Sequence, residues 1–335
     1  MSEKAKIIYC GSPELAIPPL SAILNSGEYE VLAVITQNDK PAGRGNKLTP
    51  PPVKVFAEQN NLRVFQPTTL KRISLSEGKL TTSSTNSTQL ELLDYLNSKS
   101  PIDIFIVVAY GKIIPQGLID FPRCGILNIH MSLLPRHRGA APIQRAILEQ
   151  DIKSGTTLMQ IDAGLDTGPI YSMKEYLFKE EETSGSLAEE LAKVGAELLL
   201  HDLPLILSNQ LQAKPQTEAG ASYAEKVSKE DFAINWGETA AITLAKIKAA
   251  NPSPGAKCKL NSEDIKIFKA TKHLGYDYFG NKPGEVVESN KAELIVCCGN
   301  KEYLSILELQ FPGKKRMNIA DALRGKAINI GDLFS

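Results

Sequence analysis

The chain has 335 residues and a mass of 36.5 kDa, enough for two domains of about 150 residues each. Its 38 basic residues balance its 38 acidic residues, which excludes a protein that attracts nucleic acid through its overall charge. The hydrophobic share of 42% and the charged share of 23% are typical of a folded domain and exclude a disordered, collagen-like or coiled-coil chain.

Cysteine usage and the absence of apolar segments bear on the compartment. The five cysteines are an odd number and contain no Cys-X-X-Cys pair, which is typical of a reducing compartment. The first residues show neither a signal peptide nor a transit peptide. The most apolar run, residues 104–109, is far shorter than a membrane span. We therefore expect a cytoplasmic protein that does not bind a membrane.

Short apolar strands alternate with helix-length segments in the first half of the chain, and this alternation is typical of an open parallel α/β sheet. The continuous apolar run 104–109 predicts a central strand that is covered on both faces. Residues 74–89, rich in Ser and Thr, predict a low-complexity surface insertion. The predicted strands are residues 6–10, 31–35, 62–65, 104–109 and 125–130, and the predicted helices are residues 18–24, 90–96 and 143–149.

The pattern changes after residue 155. Two β-rich segments around a Gly-rich turn predict a hairpin, and a long helix is predicted over residues 186–207. Residues 209–222 have the composition of a linker, and the short strands beyond them predict a small β-barrel with one helix over residues 238–250. We therefore expect one domain over residues 1–208, a linker over 209–222 and a second domain over 223–335.

The predicted strand 125–130 ends with two residues that can carry chemistry. Because alternate residues of a strand face the same way, Asn128 and His130 share a face at the carboxyl end, where open α/β sheets bind ligands. An amide donor beside an imidazole can stabilise an oxyanion and move a proton. Taken alone, however, a core histidine beside a strand-terminal asparagine explains this pair at least as well.

Two aspartates, Asp162 and Asp166, lie in the turn of the predicted hairpin, where Asp is also common for conformational reasons. A carboxylate close to His130 would set its tautomer. The sequence lacks the His spacing of a metal site, the Gly-X-Ser-X-Gly elbow of serine hydrolases and the Gly-X-Gly-X-X-Gly loop of dinucleotide-binding proteins. We therefore expect no metal at this site.

In combination, residues 128–144 and 162–168 resemble the signature of the folate-dependent formyltransferases. The resemblance covers residues 6–334 apart from the insertion. It implies an α/β fold in which a Rossmann-like open parallel sheet, the formyltransferase domain, is followed by a small OB-like β-barrel domain. Further matching segments are residues 11–13, 37–45, 108–111, 223–226 and 313–317.

The resemblance also assigns roles to residues. It implies a catalytic set of Asn128, His130 and Asp166, and a co-substrate, 10-formyltetrahydrofolate, whose formyl group is transferred to an amine without a metal. The folate-contacting stretch of the family falls on Ser132, Leu133, Leu134 and Pro135.

The long loop over residues 36–54 and the C-terminal half resemble the branch of the family that acts on a charged tRNA. The implied acceptor is the α-amino group of methionine on initiator methionyl-tRNA, and the product is formylmethionyl-tRNA for translation initiation. No obligate protein partner is evident. Basic residues suited to tRNA phosphates are Arg44, Lys40 and Lys47 in the loop, and Lys248, Lys314, Lys315 and Arg316 in the C-terminal half.

Three alternatives remain open from the sequence. Another formyltransferase, acting on the amine of a ribonucleotide or a sugar nucleotide, shares the Asn, His and Asp signature but needs neither the loop at residues 41–45 nor the C-terminal barrel. A folate-dependent hydrolase would use water in place of the amine. An RNA-binding module on a degenerate scaffold would need none of the three candidate catalytic residues.

Overall fold

The computed structural model describes residues 3–42, 47–274, 282–290, 292–325 and 328–335. The chain divides into two compact units. The first contains Met1–Ala140, Ser154–Leu177 and Ala188–Ala224. The second contains Ala141–Lys153, Phe178–Leu187 and Glu225–Ser335.

The first unit is built on a seven-stranded sheet with helices α1 to α4 around it. Its strands are β1 Ala5–Gly11, β2 Tyr29–Ile35, β3 Lys40–Ala42, β4 Lys47–Thr49, β5 Val64–Phe65, β6 Ile73–Ser76, β7 Lys79–Thr82, β8 Ile104–Val108, β9 Ile126–His130, β10 Lys153–Gln160 and β11 Ile170–Leu177. Its helices are α1 Ile17–Ser26, α2 Pro52–Gln59, α3 Ser87–Lys99 and α4 Gln116–Ile119.

The strand order of the main sheet is β11-β10-β9-β8-β1-β2-β5. Strands β5, β2, β1, β8 and β9 run parallel, and β10 pairs antiparallel with β9. Every residue of β8 is buried, because its apolar side chains are covered on both faces of the sheet. The predicted Rossmann-like open sheet is confirmed, and β9 carries its carboxyl end next to β8.

Residues 74–89, predicted as a low-complexity surface insertion, contain most of a β-hairpin and the first residues of α3. Strands β6 and β7 pair from Ile73 opposite Thr82 to Ser76 opposite Lys79. Glu77 and Gly78 between them both have positive φ, as a two-residue hairpin turn requires. Because Ile73 and Leu80 are buried, the hairpin covers part of the hydrophobic core. The Ser- and Thr-rich composition of this segment did not indicate the turn.

The second unit contains an antiparallel sheet. Its strands are β12 Ala256–Leu260, β13 Glu263–Lys272, β14 Val286–Ser289, β15 Leu294–Cys297, β16 Tyr303–Gln310 and β17 Met317–Asn318. Its helices are α5 Pro142–Leu148, α7 Ala240–Ala249 and α8 Ile319–Gly325, while α6 Ser184–Leu207 has residues in both units. The strand order is β12-β13-β16-β15-β14, with β17 beside β16.

The last five residues join the two edges of this sheet. Phe334 bridges to Leu260 at the end of β12, and Leu333 bridges to Glu285 just before β14. The Phe334 ring is buried with its centroid 5.4 Å from that of Trp236. The backbone hydrogen bonds thus run from one edge strand to the other, as a small barrel requires. The structure thus confirms that a second, β-rich domain follows the open sheet, as predicted for the small barrel, and shows that its strands are antiparallel.

Residues 209–222, predicted as a linker, pack within the first unit. Lys214 exchanges two backbone hydrogen bonds of 2.8 Å with Ile170 at the start of β11. Among the residues that the structure describes, no helix combines the length and the apolar character that crossing a membrane would require.

Candidate active site

Asn128 and His130 lie on β9, as the spacing predicts. Both side chains are buried. In the sheet Asn128 stands between Val107 of β8 and Met159 of β10, and His130 stands opposite Thr157 of β10. The neighbouring strands therefore fix both residues at the carboxyl end of the parallel sheet, where ligands of such folds bind.

The His130 ring is held by a backbone carbonyl. Its Nε2 lies 2.9 Å from the carbonyl oxygen of His137, and because a carbonyl only accepts, Nε2 must carry the hydrogen. Nδ1 lies 3.7 Å from Oδ2 of Asp166. In neutral His130 the lone pair is therefore on Nδ1, and this is the ring atom that can accept a proton.

The structure brings Asp166, and not Asp162, to the imidazole. The Asp166 carboxylate is 17% exposed, and its Oδ2 accepts a hydrogen bond of 2.8 Å from the Gly139 amide. Asp162 accepts hydrogen bonds from the Gly164 amide at 3.0 Å and from the Thr167 hydroxyl at 2.9 Å. Asp162 thus shapes the turn, whereas Asp166 faces His130.

Residues 137–139 hold both sides of the His130–Asp166 pair. The His137 carbonyl accepts from His130, and the Gly139 amide donates to Asp166. Arg138 between them pairs by its backbone with residues 222 and 224, at 2.8 and 2.6 Å. Sequence reasoning missed these groups, because a backbone carbonyl or amide carries no signature in the side chain.

Arg138 and Gln216 form a second network behind Asp166. The Arg138 side chain is only 1% exposed, and its guanidinium pairs with Glu218 at 3.1 Å. This pair raises the pKa of Arg138 and lowers the pKa of Glu218. Gln216 accepts from Arg138 and donates to the carbonyls of Asp166 and Gly168. Gln216 lies in the segment 209–222, which was predicted as a linker, and the composition of that segment gave no indication of this contact.

The stretch Ser132–Pro135 begins two residues after the end of β9. The Ser132 hydroxyl donates to the carbonyl of Arg136 at 2.8 Å, and the Ser132 carbonyl accepts from the Thr157 hydroxyl at 2.6 Å. Ser132 and Leu134 are buried, while Leu133 and Pro135 are half-buried. The turn is thus fixed against β10, and the partly accessible side chains are those of Leu133 and Pro135.

The base of the loop over residues 36–54 is well anchored. The Gln37 side chain donates to the Tyr110 carbonyl at 2.8 Å, and Lys54 pairs with Asp39 at 3.0 Å. Hydrogen bonds from Gln66 and Lys54 lower the pKa of Asp39. Lys40 and Lys47 are exposed on β3 and β4, which pair with each other. The predicted contact Arg44 lies outside the described residues.

The basic residues predicted in the second unit differ in their surroundings. Lys314 and Lys315 are exposed in the turn between β16 and β17. Arg316 pairs with Glu308 and lies over the Phe268 ring at 4.8 Å. Lys248 is half-buried, donates to the Glu180 carbonyl at 2.5 Å, and has its pKa lowered by burial. Other partners thus already engage Arg316 and Lys248.

Family comparisons agree with this architecture. Residues 7–203 match the family model described as formyl transferase, and residues 226–327 match the model of the formyl transferase C-terminal domain. The chain belongs to the formyl transferase family, and it is an enzyme that transfers formyl groups. The resemblance noted in the sequence signature is therefore confirmed.

Proteins that are similar to this chain along nearly its whole length are named methionyl-tRNA formyltransferase. The methionyl-tRNA formyltransferase of Pseudomonas fluorescens strain Pf-5 is 39% identical over 100% of this chain and 94% of its own. The enzyme of that name from Hahella chejuensis is 40% identical over 97% of this chain and 95% of its own. The one from Dictyoglomus thermophilum is 36% identical over 98% and 99%.

Solved structures share the fold at low sequence identity. A sugar 3N-formyl transferase, WlaRD, solved with dTDP and 5-N-formyl-THF, has a TM-score of 0.63 at 20% identity and covers 94% of this chain and 100% of its own. HypX from Aquifex aeolicus in complex with tetrahydrofolic acid has a TM-score of 0.62 at 17% identity, covering 96% of this chain and 47% of its own. At these identities the similarity establishes the fold alone.

Proposed function

We propose that the protein transfers the formyl group of 10-formyltetrahydrofolate to the α-amino group of methionine on initiator methionyl-tRNA. The observation that carries this proposal is the identity of 36–40% to methionyl-tRNA formyltransferases along nearly the whole of both chains. The choice of a folate donor follows from the match to the formyl transferase family. Two proteins of the same fold were solved with folates, which agrees with this choice.

The site geometry suits formyl transfer to an amine. As the amine nitrogen attacks the formyl carbon, a C–N bond forms and the formyl oxygen becomes an oxyanion. We propose that the Asn128 amide donates to this oxyanion, since donors placed at a developing charge stabilise it most. The bond from the formyl carbon to the folate nitrogen then breaks, and that nitrogen takes up a proton.

We propose that His130 carries the proton between the two nitrogens. Its Nε2 hydrogen is committed to the His137 carbonyl, so Nδ1 accepts the proton lost by the attacking amine and returns it to the leaving nitrogen, directly or through water. Asp166 faces the same Nδ1 and stabilises the imidazolium that forms. No step of this sequence needs a metal.

The exposure of the side chains indicates which of them can contact the substrates. We propose that Ser132, Leu133, Leu134 and Pro135 form the wall against which the folate packs, with Leu133 and Pro135 offering accessible side-chain surface. For tRNA we propose Lys40, Arg44 and Lys47 in the first unit and Lys314 and Lys315 in the second. Lys248 and Arg316 contact tRNA only if they exchange their present partners.

Direct assay of the purified protein tests the proposal. The protein is incubated with 10-formyltetrahydrofolate and methionine-charged initiator tRNA, and blockage of the α-amine is measured. We expect blockage with the charged tRNA, none with uncharged tRNA, and loss of turnover by about 10²- to 10⁴-fold in the His130→Asn variant.

Two outcomes of this assay contradict the proposal. Formate release without a blocked amine means that the enzyme is a hydrolase. Faster formylation of a ribonucleotide amine or a sugar-nucleotide amine than of methionyl-tRNA means that the acceptor is a small molecule. The similarity to sugar formyl transferases gives no support to this second alternative, because it extends only to the fold.

A further inference from the structure

Gln216 connects two parts of the candidate active site through every polar atom of its side chain. Its Nε2 donates to the carbonyl oxygens of Asp166 and Gly168, both at 2.8 Å. Its Oε1 accepts from Nε and Nη2 of Arg138, at 3.1 and 3.0 Å. A carboxamide has two donor hydrogens and two acceptor lone pairs, so its hydrogen-bonding capacity is filled.

The Asp166 backbone needs such support. Its φ of +53° lies in the left-handed region, which is uncommon for residues with a Cβ and which Asp adopts more often than most of them. Gln216 holds the Asp166 carbonyl, and the Gly139 amide holds its carboxylate. These two anchors together set where Oδ2 lies relative to His130 Nδ1.

Arg138 fixes Gln216 in turn. The guanidinium is almost fully buried, and the exposed carboxylate of Glu218 neutralises it. Arg138 is also flanked by the two residues whose backbone groups hold His130 and Asp166, at positions 137 and 139. The Arg138–Gln216 contact therefore links the support of Asp166 to the support of His130.

We propose that Gln216 is a positioning residue for formyl transfer, which aims the Asp166 carboxylate at His130 by holding the backbone of the Asp166 turn. The inference rests on the proposed function, in which His130 and Asp166 move and stabilise the proton. Gln216 acts through Asp166 and is not itself a catalytic residue.

The isosteric variant Gln216→Glu separates the donor role from packing. A carboxylate of the same shape keeps its pairing with Arg138 but has no hydrogen for the two carbonyls. The matched control is Gln212→Glu, which introduces the same charge in the same segment. Gln212 is exposed, and its side chain donates to the backbone and side-chain oxygens of Asn209.

The first measurement is steady-state kinetics with both substrates. We expect Gln216→Glu to lower kcat by about 10- to 100-fold, as loss of a supporting hydrogen-bonding partner does at other sites, with KM for tRNA and folate within about twofold of wild type. Gln212→Glu keeps the wild-type kcat. If Gln216→Glu does not fold, Gln216→Met removes the two donors without adding a charge, although it also removes the acceptor for Arg138.

The second measurement is independent of activity. In the ligand-free protein with ¹⁵N-labelled histidine, we expect the His130 ring resonances to shift in Gln216→Glu and to remain unchanged in Gln212→Glu. A wild-type kcat in both Gln216 variants, or a His130 signal that Gln216 does not affect, overturns the positioning role. If the wild-type protein does not formylate methionyl-tRNA, the proposed function fails, and the resonances still decide the role of Gln216.

Discussion

At the scale of single residues, backbone groups hold the side chains of the candidate pair His130 and Asp166. The His137 carbonyl determines which nitrogen of His130 carries the hydrogen, and the Gly139 amide determines where the Asp166 carboxylate lies. Both groups belong to one short segment, so a small movement of its backbone displaces both members of the pair. Misplacement by about 1 Å can cost a factor of about 100 in rate.

Gly139 is the residue at which this dependence can be tested. Its φ is +116°, and a Cβ there would lie 2.8 Å from the Ala224 carbonyl. We expect Gly139→Ala to lower the free energy of unfolding by about 1–3 kcal/mol and kcat by about 100-fold, because its amide moves away from Asp166. Denaturant unfolding and single-turnover formylation measure the two effects.

The control is Gly220→Ala in the same unit. Gly220 also has a positive φ, +79°, but a Cβ there meets nothing within 4 Å. Gly220→Ala also places a side chain at a positive φ, but the added Cβ meets no neighbouring atom. We therefore expect kcat to remain at the wild-type value. Equal loss of kcat in the two variants would contradict the role of the Gly139 amide.

At the scale of elements, the β6–β7 hairpin is an addition to the core of the first unit rather than to the active site. Its buried side chains Ile73 and Leu80 pack in the same cluster as Leu92, Leu93 and Leu96 of α3. The Asn97 side chain of α3 accepts from the Leu80 amide at 2.8 Å and donates to the Leu80 carbonyl at 2.9 Å. The hairpin is therefore held against α3 in two ways. Its apolar side chains are buried, and the Asn97 side-chain amide forms two hydrogen bonds with the Leu80 backbone, as a neighbouring strand would.

We expect Asn97→Ala to destabilise the first unit without affecting catalysis. It removes both side-chain partners of the Leu80 backbone, which costs about 1–3 kcal/mol when the groups are left unsatisfied. Thermal unfolding measures the loss, and kcat at a temperature where the variant is folded should equal that of wild type. The control is Asn60→Ala, at an exposed residue that follows the last residue of α2, and it should lose much less stability.

At the scale of the whole molecule, the two units are completed in different ways. The core of the first unit is a sheet whose strands are visible in the sequence as apolar runs. The second depends on residues 331–335, which pair with both edge strands. Phe334→Ala should lower the free energy of unfolding of the second unit by about 3–5 kcal/mol, as for other buried Phe residues. Unfolding followed by Trp236 fluorescence reports it, whereas Leu333→Ala, at a half-exposed side chain, should cost far less.

The charge distribution leads to another prediction for the whole molecule. Because the net charge is zero, tRNA binding must use local basic groups. Replacing Lys314 and Lys315 by Ala should weaken tRNA binding and reduce the slope of log Kd against log salt by about 0.7–0.9 for each phosphate that the variant no longer neutralises. The double variant Lys71→Ala/Lys79→Ala, at one exposed lysine just before β6 and another on β7, should keep the wild-type slope. An equal reduction there would remove the case for a specific phosphate interaction.

Local sequence patterns were sufficient to predict much of the secondary structure and the reactive side chains. Apolar runs predicted β1, β2, β8, β9 and the long helix α6. In these elements the buried side chains recur with the spacing of a strand or a helix, and this spacing can be read from neighbouring residues in the chain. The signature around residues 128–144 and 162–168 identified the family and the side chains of Asn128, His130 and Asp166. The comparisons confirm the family, and the roles of these residues stay predictions.

Contacts between distant parts of the chain hold those side chains in place, and no local pattern predicts them. The Gly139 amide meets Asp166 across 27 positions, and Gln216 meets it across 50, within a segment whose composition indicated a linker. Likewise, nothing local to residues 331–335 shows that they join β12 to the region before β14. Such contacts use backbone groups and amides that every sequence contains, and their partners are chosen by the path of the folded chain.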